Sequence, residues 1–185
     1  MLWAATRLAA IALTLTMAGC CSIPRYEPNY WNGDPTARCS NNCYNYGNNK
    51  RTDSFAQPGL ASGAMATTMA CKEVWDAAVR DGLEPLPASG TCPKGTCSTQ
   101  DKLALVVAPG WDYHWYRQDD GGMWSHKPGG TAARNVDSAG NPISDPATAA
   151  RGPYTDFCGY LCSCSDSKQG QGHENIKGPR APCSY

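Results

Sequence analysis

The chain has 185 residues, with 16 Lys and Arg against 16 Asp and Glu, so its formal net charge is zero. That balance excludes nucleic-acid binding through overall charge, because phosphate neutralisation needs a basic surplus. Its 19 glycines and 14 prolines point to a loop-rich body, and 11 cysteines are far more than a reduced intracellular protein carries.

Residues 1–19 read as an export signal and stand outside the fold. Arg7 supplies a positive start, and residues 8–17 form an uncharged apolar run. That run is too short to cross roughly 30 Å of hydrocarbon as a helix. It meets Met17-Ala18-Gly19-Cys20, which resembles a bacterial lipobox. The resemblance implies cleavage before Cys20 and lipidation of its sulfur. Residues 20–34 then read as lipid anchor and tether, and residues 35–185 as a single globular domain. Cys21 and Ser22, rather than Asp, follow the lipidated position. The expected address is therefore the cell envelope, at the outer membrane, with the membrane itself as a partner through the lipid.

In an oxidising compartment Cys39, Cys71, Cys92, Cys97, Cys158, Cys162, Cys164 and Cys183 are disulfide candidates, with connectivity open. Cys92 and Cys97 flank a turn-like Pro93-Lys94-Gly95-Thr96 and suit a small closed loop. Cys158, Cys162, Cys164 and His173 lie close in sequence, but not as paired Cys-x2-Cys knuckles. Oxidised bridges are the better expectation, and no metal is expected. Residues 135–145 carry no EF-hand spacing of oxygen ligands. No phosphate-cradling or dinucleotide motif is present, so no cofactor is expected.

Residues 38–53 are polar and rich in asparagine, and read as loop. The spacing of Ala64, Thr68, Cys71, Trp75 and Ala78 predicts a helix over 64–81, ended by Gly82, Pro85 and Pro87. Residues 103–108 form a short apolar run and predict a buried strand. Residues 113–117 and 123–127 predict two more, joined by a turn at 119–122. Residues 128–157 predict a long ordered loop or wrap, and residues 165–185 a peripheral tail held by Cys183. The fold class is α+β: a small, loop-rich, disulfide-stapled domain with one main helix on a short antiparallel meander.

Two of the 3 histidines, His114 and His126, fall on neighbouring strands of that meander. A nucleophilic cysteine needs an adjacent imidazole, and the imidazole needs a third polar group to orient it. Cys43, then His114 opening a strand, then His126, resembles the order in NlpC-type papain-fold cysteine peptidases. The resemblance spans about residues 39–128 and includes the apolar Leu103-Ala104-Leu105-Val106-Val107 before the first histidine. It implies a papain-like core with Cys43 as nucleophile, His114 as general base and His126 as orienting group. Asn135, Asn141 and Asp145 are alternative third residues. Cys43 paired with Cys39 or Cys71 is the competing structural reading.

Two functions follow. The first is an exported, lipid-anchored cysteine hydrolase acting on amide bonds of cell-wall peptide or protein. The second is a non-enzymatic, disulfide-stabilised surface module that binds glycan or protein through exposed aromatics. Trp111, Tyr113, Trp115, Tyr116 and Trp124 supply either an aromatic core or that ligand platform.

Overall fold

The computed structural model describes residues 23–87, 89–92, 100–164, 176–179 and 183. The signal segment, Cys20, Cys21, Cys97 and His173 lie outside the described residues. Four helices, α1 (Pro28–Asn32), α2 (Pro35–Ser40), α3 (Cys43–Gly47) and α4 (Cys71–Arg80), are described. So are five strands, β1 (Glu84–Leu86), β2 (Gln100–Ala108), β3 (Asp112–Gln118), β4 (Trp124–His126) and β5 (Asp156–Cys164). The strands form one antiparallel sheet in the order β1-β5-β2-β3-β4.

The meander β2–β3–β4 follows from alternation along its strands. Leu103, Leu105 and Val107 of β2, with Tyr113 and Trp115 of β3, face a core shared with Val74, Ala77 and Ala78 of α4 and Tyr44 of α3. Ala104 and Val106, with Tyr116 and Trp124, face the other way, onto Ile143 and Tyr160. Of the five aromatics weighed as a platform, Tyr113, Trp115, Tyr116 and Trp124 are core, and only Trp111 is exposed.

The main helix starts at Cys71, not at 64. The Glu73 carboxylate reaches back to accept the backbone N–H and hydroxyl of both Thr67 and Thr68. Those amides are thereby held in a turn ahead of the helix, and the charge sits at the positive end of its dipole.

β5 does not stand out in the sequence, yet it lies between β1 and β2. Its register against β2 shifts opposite Leu105 and Val106, which leaves Cys158 as the extra residue of a bulge. Cys158 is bonded to Cys71 at the start of α4. The next residue, Gly159, has φ +129° and passes so close to the Trp75 ring that a Cβ would meet it at 3.0 Å. Cys162 of β5 is bonded to Cys92 and Cys39 of α2 to Cys183. Cys164 is also disulfide-bonded. The expected Cys92–Cys97 loop is thus replaced by a bridge between distant segments. Cys158, Cys162 and Cys164 are all in disulfides, which removes them from any zinc site.

The asparagine-rich stretch is folded and buried. Asn42 caps α3 by accepting from the Tyr44 and Asn45 amides, and Asn45 reciprocates at the Asn42 N–H. Asn41 cross-links α2 to the turn at 52–53. The N-terminal segment expected as a tether carries α1, and Trp31 packs against Tyr46 and Ala133.

Residues 128–157 wrap the second face of the sheet. Ile143 and Arg134 pair with β4 at Trp124 and His126. The Asp137 carboxylate accepts the amides of Ala139, Asn141 and Ala150, which fixes the loop without regular structure.

Lys127, at the end of β4, is wholly buried. Its ammonium donates to the carbonyls of Arg38, Asn41 and Gly129. Burial pulls its pKa down to about 8, so it remains largely protonated at neutral pH and its three N–H groups meet three acceptors. Lys127→Met keeps the stem but orphans those carbonyls. It is expected to lower unfolding free energy by roughly 3 kcal/mol in urea titrations.

Candidate functional site

The residues singled out for chemistry meet around β3 and β4. Tyr116 stands opposite His126 in the ladder, which puts His114 diagonal to His126 on the same face. His114 Nε2 and His126 Nδ1 are 2.7 Å apart. His126 Nε2 lies 2.9 Å from the Val136 carbonyl oxygen, which only accepts. The assignment that satisfies both bonds has Nε2–H of His126 donating to Val136, and Nε2–H of His114 donating to Nδ1 of His126. Arg134 Nε is also 3.3 Å from His126 Nε2, a contact that a protonated nitrogen does not accept.

Aromatic rings enclose the pair. Tyr116 stacks on His126 with centroids 4.9 Å apart, and Tyr154 lies 5.3 Å from His114. The Tyr154 hydroxyl donates to Asp112 at 2.7 Å. The sequence gave no signal for Tyr154, which arrives from the wrap.

Burial depresses the pKa of both imidazoles. His114 falls well below its ordinary value, with the neighbouring His126 and Arg134 adding to the shift. His126 falls to about 4, against an opposing hydrogen bond to Val136. Both rings are neutral at physiological pH.

Cys43 opens α3 and is the free cysteine among the described residues. It belongs to the helix-side core, whereas His114 packs with Tyr116 on the other face of β3. Among the described residues, no hydrogen bond joins the Cys43 sulfur to either histidine. Burial pushes its thiol up to about 12, only partly offset by the Trp115 backbone N–H and by Lys127. The thiol form therefore dominates at neutral pH, and the thiolate is the reactive form. Of the alternative third residues, Asp145 is engaged by the Tyr160 hydroxyl at 2.5 Å, and Asn141 gives its amide to Asp137.

Among the described residues, no cluster of three or more His, Cys, Asp or Glu side chains is placed to hold a metal ion. No helix among them is long and apolar enough to cross a membrane.

The chain is 52% identical over 137 residues to insoluble matrix shell protein 1 of Ruditapes philippinarum, a span covering 74% of this chain and 88% of that protein. It belongs to the family of that shell matrix protein. No family model and no solved structure matches.

Kinship with a mollusc matrix protein overturns the bacterial reading. Lipidation of Cys20, the outer-membrane address, the cell-wall substrate and the lipid-anchored amide hydrolase fall together. All four rested on a short apolar run before a cysteine and on the order of three residues. Such short patterns recur by chance, whereas identity over 137 residues does not.

The neutral histidine pair gives this family member a testable pH dependence. Because the native pKa of His126 is depressed, the unfolded chain binds more protons than the folded one between about pH 6.5 and 4. Stability is therefore complete above pH 6.5 and is lost as pH falls through that window, by roughly 3 kcal/mol for His126. Thermal melts from pH 7.5 to 4.5 are expected to show the loss, and His126→Gln is expected to flatten it.

Proposed function

We propose that this protein is a non-enzymatic structural component of an extracellular organic matrix, held in shape by disulfides and bound to other matrix macromolecules. The observation that carries this reading is its 52% identity with a shell matrix protein across 88% of that relative. Three features support it. Disulfides tie α2, α4 and β5 to distant segments, which suits an oxidising exterior. Zero net charge removes long-range repulsion from a neighbouring chain. Trp111 is 68% exposed at the tip of the β2–β3 turn, a large amphipathic side chain free to contact glycan or protein.

The test is co-sedimentation of the purified chain with washed, demineralised insoluble matrix from shell. The protein is expected in the pellet and to stay there at high salt, since the contact is not driven by net charge. Trp111→Ala is expected to cut the bound fraction by about tenfold while leaving the melting temperature unchanged. A chain that remains in the supernatant at every salt concentration overturns the proposal.

A further inference from the structure

We propose that residues 176–179 and Cys183 form a disulfide-latched strap that keeps the Cys43 thiol out of solvent. This inference concerns a conformational device and stands apart from the matrix reading.

The strap lies along residues 55–57. Phe55 N–H donates to the Pro179 carbonyl at 2.7 Å, and Gln57 N–H to the Lys177 carbonyl at 2.9 Å. Gly178 passes so close to this segment that any Cβ would collide with the Phe55 carbonyl oxygen. Ile176 is buried in the same core as Cys43, Ala56 and Tyr44.

Residues 55–57 are in turn fastened to the start of α3. Asn42 Nδ2 donates to the Ala56 carbonyl at 2.6 Å, and Ala56 N–H donates to Asn45 Oδ1 at 3.2 Å. Asn42 and Asn45 are the two capping residues around Cys43. Strap, pairing segment and cap thus form one hydrogen-bonded stack beside the thiol.

The latch is Cys39–Cys183, which joins the far end of the strap to α2. It is needed because the strap is weak by itself. It offers one large apolar side chain and the two backbone bonds above, against the entropy of ordering a chain end. Opening the latch is a two-electron step. A dithiol reductant gives two electrons and two protons to the Cys39 and Cys183 sulfurs, their S–S bond breaks, and the dithiol closes to its own disulfide. The strap then lifts, Ile176 leaves the core, and Cys43 becomes accessible.

Iodoacetamide labelling of the full folded chain, with peptide mapping of the Cys43 segment, tests this. In the native protein Cys43 is expected to label slowly. In Cys39→Ser/Cys183→Ser the rate is expected to rise by about tenfold or more, with Cys71–Cys158 and Cys92–Cys162 still bridged. Gly178→Ala keeps the latch and pushes the strap from its bed, so it is expected to raise the rate as well. If the double variant does not fold, Gly178→Ala decides alone. An unchanged rate in a folded variant overturns the proposal. So does an equal rise in Trp111→Ala, which touches no part of the strap.

Discussion

A buried ammonium sets how the helical half of this protein meets its sheet. Lys127 leaves the end of β4 and donates to Arg38, Asn41 and Gly129 carbonyls. Two of those carbonyls belong to the turn between α2 and α3, so a single side chain fixes the approach of α3 to the sheet. From that approach follow the packing of Tyr44 on Trp115 and the placing of Cys43 in the core. A charge buried this way is tolerated only because all its donors are used. The constraint runs both ways, since the carbonyls too would otherwise be buried without partners.

A second polar centre repeats the logic on the opposite side. Arg117 is fully buried, pairs with Asp119 at 3.1 Å and lies over the Tyr46 ring at 4.3 Å. It also donates to Asn49 and to the Arg25 carbonyl, which draws the N-terminal segment against β3. Apolar side chains are scarce, and satisfied polar groups and disulfides complete what they leave unfinished. β5 shows this best: a bulge turns Cys158 toward α4, and its disulfide supplies contact that a glycine-bearing strand lacks.

The candidate site combines one legible pair with an illegible surrounding. Spacing across a short turn was enough to expect His114 and His126 on adjacent strands, and they share a hydrogen bond. The electrostatics depended on burial, which no local pattern reports. Tyr116, Tyr154 and the wrap close over the rings and hold them neutral, and the helix-side core holds Cys43 as a thiol. Residue order suggested a reactive constellation; kinship with a shell matrix protein set the functional frame.

The sequence by itself determined the meander, the body of α4 and the oxidised state of most cysteines, because each is written in local spacing or composition. Alternation of apolar residues needs no partner to be recognised, and neither does a helical stripe. Tertiary structure alone decided which cysteines pair, that residues 156–164 insert into the middle of the sheet, and that the asparagine-rich stretch becomes a cap and cross-link instead of a loop. Asn41, Asn42, Asn45 and Asn48 look soluble in sequence because an amide is equally at home in water. Only when backbone groups from distant segments surround them do their donors and acceptors find partners, and only then is burial favourable.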